Sequence, residues 1–289
     1  MFGKEKYREI NANLNKKLAE KRFIIAQHRG GAGGNFVGNT IPAFKTSLML
    51  GADMFELDVS MSTDGKLYCY HDTTEELNLR LHGNIEELSS GVIDELKQYN
   101  SIWEPSGYHV QTLEGVLKEF TDGELYNVDR SWDKLEQTFA LLNQYPHCVH
   151  QALLKAPAKK EILDKYEKEP TKFMFMAIVK TLEDIQLVLS YENINVVGFE
   201  LIAKSEEDAL WQDGLIEELH SKGYFVWFNS ITLSCLERHI LCAGYDDERS
   251  LKEGFEKGWG VLVRKHTDII QTDWPALLSK YRDSLGSNN

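Results

Sequence analysis

Basic residues are scarce beside acidic ones: 32 Lys and Arg stand against 45 Asp and Glu, a net charge of -13. Such a balance repels polyanions at long range, which excludes nonspecific binding to DNA, RNA or an anionic membrane. No apolar run approaches the roughly 20 residues of a membrane span, so stable membrane insertion is excluded too. The opening residues, MFGKEKYREINANLNKKLAEK, are charged from the start and lack the apolar region and cleavage pattern of a signal peptide. Cysteine is sparse: Cys69, Cys148, Cys235 and Cys242 show no metal-type pairing, and a chain of 289 residues needs no disulfide staples. The expectation is a reduced, cytoplasmic protein, secreted only if a leader has been removed, with its oligomeric state open.

What the chain does have is alternation. With 42% hydrophobic residues over 289 positions, one domain spanning residues 1–289 is the default. Eight short β-rich runs, FIIAQH, MFELDV, LYNVD, VHQALLK, FMFMAIV, VVGFELI, YFVWFN and DIIQTD, are mostly separated by longer amphipathic runs. That rhythm predicts βα units on a parallel sheet, and eight of them close into a (β/α)8 TIM barrel. Polar residues fall at the C-terminal ends of many runs: His28, Asp58, Asp129, Lys155, Asn229 and Asp273. An open doubly wound sheet would gather them at one switch point, so their spread favours the barrel. The stretch from about 73 to 110, after the second strand, is too long for a simple βα loop and predicts a small insertion at the barrel mouth. Tyr7, Ile10, Leu14 and Leu18 form a narrow apolar stripe at helical spacing, suited to packing on the barrel floor.

Glu56 and Asp58 lie two apart on one strand and leave by the same face. Two inward carboxylates repel each other unless a cation or proton intervenes, and oxygen-only ligation suits a hard divalent ion such as Mg or Ca. Standing alone, the pair is as readily explained as solvated surface. Asp64-Gly65 is a strong hairpin signal. A two-residue turn there sets Asp58 opposite His71, which brings an imidazole beside the carboxylates; a single bulge would turn it away.

The run IIAQHRGGAGGNFVGNT, Ile24 to Thr40, ends a strand in His-Arg and then passes five glycines. Gly33 and Gly38 have P-loop spacing, but Asn39 stands where that motif needs its lysine. Thr40 as a helix N-cap with Pro42 in the first turn explains the helix start. Neither reading accounts for His28 and Arg29.

HRG, NTIPAF, GADMFELDVSMSTDGKLYCYHD, QTLEGVLKEF and DIIQTDWPALL, in that order, resemble the glycerophosphodiester phosphodiesterase family. The resemblance implies a (β/α)8 barrel with an insertion near its second strand, and a divalent metal, Mg or Ca, as cofactor. It implies His28 and His71 as an acid/base pair, Arg29 as a phosphate contact, and Glu56 and Asp58 as metal ligands. The family's third ligand is usually a glutamate in a pattern like EIK; here VDRS offers Asp129, with Ser131 where a phosphate-binding lysine is common. Lys155 is the candidate to compensate, as in a subgroup carrying NS after VWF and a YDD segment. Gly38 stands where the family commonly has glutamate.

The implied reaction is hydrolysis of a glycerophosphodiester, a small-molecule substrate, to glycerol 3-phosphate and an alcohol. Alternatives are a sphingomyelinase D-like lyase acting on phospholipid diesters, and a noncatalytic phosphodiester-binding barrel. Trp227, most simply a core residue, and Asn229 are weaker candidates for lining the pocket. His147 and His150, read as strand residues, fall on opposite faces and share no metal. Asp246 and Asp247 are most simply solvated, while the YDD resemblance implies a structural or gating role. Glu200 ends a strand with nothing to fix its role.

Overall fold

The computed structural model describes residues 1–234 and 236–286. Eight parallel strands form a closed barrel: β1 (Ile24–Gln27), β2 (Met54–Met61), β3 (Leu125–Asp129), β4 (Ala152–Pro157), β5 (Met174–Val179), β6 (Val196–Leu201), β7 (Phe225–Asn229) and β8 (Ile269–Thr272). Each pairs with the next in sequence, and β1 also pairs with β8, which closes the ring. All eight lie in the segments where β-rich runs predict them. The strands are apolar almost throughout because the barrel buries both faces, one toward the helices and one toward the lumen.

Ile24, Ala26, Met54, Leu125, Leu153, Met174, Phe225 and Trp227 fill the lower lumen. The helix Ala12–Glu20 plugs the floor: Leu14 is fully buried in this cluster, and Ile10 and Leu18 pack against it. Gly198 in β6 is required by space, since a Cβ there would meet the Phe225 ring at 2.3 Å.

Beyond β2 the chain turns back as a short antiparallel strand, Leu67–Cys69, which pairs in turn with Gln111–Thr112. Between these two lie short helices and a hairpin of Lys97–Tyr99 with Pro105–His109, so most of WEPSGY is a strand rather than a turn. Tyr68, Tyr70, Leu79, Ile85, Ile93 and Val110 give this inserted region a small core of its own.

The hairpin after β2 differs from the two-residue turn read from the sequence. Val59 pairs with Cys69 and Ser60 with Tyr68, so Tyr70, not His71, lies opposite Asp58. The turn has three residues because Ser62 accepts from Lys66 N through its hydroxyl while Gly65, at φ +87°, takes the bulge position. Cys148–Gln151 is a helical turn ahead of β4, so His147 and His150 are not strand residues. Cys69, Cys148 and Cys242 are free and buried; Cys235 lies outside the described residues.

Candidate active site

The C-terminal ends of β2 and β3 carry the acidic centre. These strands pair in register with Asp58 beside Asp129 and Glu56 beside Asn127. Glu56, Asp58 and Asp129 bring one oxygen each to within 4.8 Å of one another. Burial first, then the Asp58 charge, push Glu56 up to about 8. Burial also works against an ionised Asp58, but Arg29, His71 and the Asn39 amide outweigh it and hold this carboxyl below its ordinary value. Three converging carboxylates, two of them nearly inaccessible, fit a hard cation, whose charge would remove the penalty on ionising Glu56.

The glycine-rich segment exists to reach this centre. Arg29 turns through φ +54°, donates its backbone N–H to Glu56 Oε2 at 2.9 Å, and sets Nε 3.1 Å from Asp58 Oδ2. Gly30 lies against the helix Ile41–Met49, where a Cβ would meet Ala43 and Phe44 at 2.9 Å. Thr40 caps that helix, its Oγ1 accepting from Ala43 N, with Pro42 in the first turn. Asn39, in the P-loop lysine's place, donates to Asp58 Oδ2, so its side chain serves the acidic centre rather than a phosphate.

His28 and His71 border one cavity of about 640 Å³, with Arg29, Gly38, Asn39 and Tyr70 among its other walls. His28 Nδ1 lies 3.0 Å from Asp273 Oδ1. Burial lowers its pKa, but the Asp273 hydrogen bond and the Glu56 and Asp273 charges outweigh it, and the net direction is upward. His71 reaches the cavity despite the changed register because the ladder with β2 ends at Tyr70, one residue before it. Its Nδ1 is hydrogen-bonded to the Asp72 carbonyl, which can only accept, so Nε2 carries the lone pair in the neutral ring. Burial, with Arg29 and Arg130, pushes His71 down against the pull of Asp58.

Lys155 sits inside the lumen, Nζ 2.7 Å from Asp129 Oδ2 and 3.2 Å from Glu200 Oε2. Burial opposes its charge, but Asp129, Glu200 and Glu56 together raise its pKa. Glu200 is itself pushed up by burial in spite of Lys155. Trp227 and Asn229 do not reach the cavity wall. Both are buried: Trp227 Nε1 donates to Asn229 Oδ1 at 2.6 Å, and Asn229 Nδ2 donates to Glu200 Oε1 at 2.9 Å. Their chain of contacts ends on Glu200, the partner of Lys155.

Several contributors were not legible as such. Arg130, at φ +56°, reaches Asp72 beside His71. Asp273 and Glu200 were visible only as polar strand ends. Asp247 is not solvated: 2% exposed, it accepts hydrogen bonds from four groups, while Asp246 caps the helix Asp247–Glu253. Ser131 is fully buried and its hydroxyl has no partner among the described residues.

A model of the glycerophosphoryl diester phosphodiesterase family matches residues 28–221, and one described as a domain of unknown function matches residues 173–282. The rat protein named lysophospholipase D GDPD1 is 22% identical over 93% of this chain and 89% of its own length. A glycerophosphodiester phosphodiesterase of Caldanaerobacter subterraneus is 37% identical, over 38% of this chain and 45% of its own. Among solved structures, a glycerophosphoryl diester phosphodiesterase of Parabacteroides distasonis aligns with a TM-score of 0.72 at 21% identity. That alignment covers 93% of this chain and 89% of the other. With the family's model spanning both histidines and all three carboxylates, the chain belongs to the glycerophosphoryl diester phosphodiesterase family.

Proposed function

We propose that this phosphodiester hydrolase cleaves glycerophosphodiesters to glycerol 3-phosphate and an alcohol, with His71 as general base, His28 as general acid, and one Mg or Ca ion as cofactor. The observation that carries the reading is the pairing of two histidines on one cavity whose surroundings push them in opposite directions. A base must be neutral and an acid protonated at the same pH, and opposed shifts widen the range in which both hold.

Glu56, Asp58 and Asp129 would hold the ion, which supplies charge stabilisation at a phosphoryl oxygen when bound. Arg29 is fixed by Asp58 and lines the cavity, so its remaining guanidinium N–H groups are available to the phosphodiester. His71 takes a proton at Nε2 from the attacking hydroxyl. His28 returns one from Nε2 to the departing alkoxide, its Nδ1 held by Asp273. Lys155 keeps Asp129 in place, and its charge adds to the positive field in which the phosphate sits.

A second substrate reading has its own observation. Phe36, Leu77 and Trp274 are large apolar residues, 38%, 55% and 49% exposed, on the wall of the same cavity. An acyl chain would cover them, which suits a lysophospholipid. The test is release of the phosphomonoester from a panel of choline, ethanolamine, inositol and glycerol glycerophosphodiesters and one lysophospholipid, after EDTA and then added Mg or Ca. Release restored by metal is expected; no release from any member under any metal overturns the proposal. No helix among the described residues is long and apolar enough to cross a membrane.

A further inference from the structure

Asp247 sits behind the site, outside the cavity wall and apart from Glu56, Asp58 and Asp129, yet its carboxylate accepts four hydrogen bonds. Its Oδ1 accepts from Ser230 Oγ at 2.6 Å, Trp259 Nε1 at 2.8 Å and Thr272 Oγ1 at 2.8 Å. Its Oδ2 accepts from one group, the backbone N–H of Asp273, at 2.9 Å. Thr272 Oγ1 in turn accepts from Trp274 N at 2.9 Å. One side chain therefore fixes three consecutive residues, Thr272, Asp273 and Trp274, where β8 ends and the last helix begins. The middle residue of the three is the partner of His28.

We propose that Asp247 is a positioning residue for the reaction: by holding the Asp273 backbone it sets the Asp273 carboxylate on His28 Nδ1 and so aims His28 Nε2 into the cavity. The proposal rests on the reading of His28 as an acid/base group. Geometry separates this role from simple core stability. The two oxygens have divided tasks, Oδ1 tying the loop from β7 to the barrel and Oδ2 serving Asp273 alone. The residue also belongs to a segment remote in sequence, the helix Asp247–Glu253, which is tied to the next helix, Trp259–Arg264, by the Ser250 hydroxyl accepting from Trp259 N at 2.9 Å. Among the described residues nothing else hydrogen-bonds the Asp273 N–H.

Asp247→Asn is the selective change. Its amide oxygen can serve the three donors on the Oδ1 side, while its NH2 group meets the Asp273 N–H donor to donor. Steady-state kinetics at saturating metal should give a kcat about tenfold lower with KM within twofold, and Asp273→Asn a loss of at least that size. The double variant should be no slower than Asp273→Asn alone, because both changes act through one path. Ser230→Ala, which removes a donor from the other oxygen, should lower the melting temperature and leave kcat within twofold.

A readout independent of turnover is the 15N shift pair of the His28 ring by NMR. At a pH alkaline enough to leave the ring neutral, it should report a single Nδ1–H tautomer in the wild type and a mixture in Asp247→Asn. Wild-type kcat and a wild-type His28 signature in a folded Asp247→Asn overturn the proposal, as do losses that multiply in the double variant. An equal kcat loss in Ser230→Ala also overturns it, since the effect would then belong to the loop as a whole. If no diester is cleaved by the wild type, the reading of the reaction fails while the ring-nitrogen signature still decides the positioning role. Should Asp247→Asn melt below the assay temperature, Asp247→Glu, which keeps the acceptors and displaces them, is judged by the same measures.

Discussion

Asn39 and Asp58 hold each other by two hydrogen bonds: Asn39 Nδ2 donates to Asp58 Oδ2 at 2.9 Å, and Asp58 N donates to Asn39 Oδ1 at 3.0 Å. Asn39 sits at φ +60°, a conformation asparagine tolerates better than most residues, and its own N–H donates to Arg29 O. The loop after β1 is thereby locked to the acidic end of β2. Asn39→Asp keeps the size, removes the donor and adds a like charge beside Asp58. Metal affinity should fall by about 10–100-fold, the usual cost of losing a group that orients a ligand. Isothermal titration with Mg and Ca checks this, and unchanged affinity would remove Asn39 from the site.

Each histidine should be needed for rate and not for fold. His28→Ala and His71→Ala should each lower kcat by roughly 10²–10⁴, the span of one general acid or base, with little change in melting temperature. Wild-type turnover in either would refute the assignment.

The directions of the histidine shifts in the metal-free site predict the form of the pH profile. His71, lowered, must lose its proton to act as base, so kcat/KM should rise through a value below the ordinary histidine range. His28, raised, must keep its proton to act as acid, so kcat/KM should fall through a value above that range. The profile at saturating metal should be a broad bell. His71→Ala should remove its acid limb and His28→Ala its alkaline limb; the reverse assignment of limbs would exchange their roles.

Glu56 links stability to metal and pH. Its carboxyl titrates near 8 in the folded, metal-free protein, against 4.5 for the ordinary group. Between those values the unfolded chain has released a proton that the folded one still holds, so this group's contribution to stability declines as pH rises toward 8. Melting of EDTA-treated protein should therefore show a growing stabilisation by added Mg or Ca from pH 5 to pH 8. Proton release on metal binding should accompany it, measurable by calorimetry in buffers of different ionisation enthalpy. A metal-induced shift independent of pH would show that Glu56 is not displaced from its protonated form.

Lys155 is a single cation buried between two carboxylates. Lys155→Met leaves both uncompensated and should cost about 3–5 kcal/mol in denaturant unfolding, as when one partner of a buried ion pair is lost. Adding Glu200→Gln should recover part of that loss. A Lys155→Met protein as stable as wild type would mean that water reaches the lumen lysine.

The eight strands and the floor helix were legible because each depends on periodicity within a short segment. Glu56 and Asp58 share a face by strand parity alone. The hairpin register was misread because a three-residue turn with Gly65 at the bulge replaced the two-residue one, yet His71 still arrived, since the chain leaves the ladder before it. For Asp247 the solvated reading fails and the structural one holds: charge in a loop is ordinarily solvated, and its burial depends on Trp259, Thr272 and Asp273 closing around it.

By itself the sequence determined the barrel, the reaction class its motifs resemble, and which strands end in His28, Asp58, Asp129 and Lys155. Only the tertiary structure decided which of those ends touch: Asp129 shared between the acidic centre and Lys155, Asp72 between His71 and Arg130, Asp273 between His28 and Asp247. Strand identity follows from neighbours in the chain. Contacts across the mouth follow from barrel closure and loop register, which no local pattern encodes.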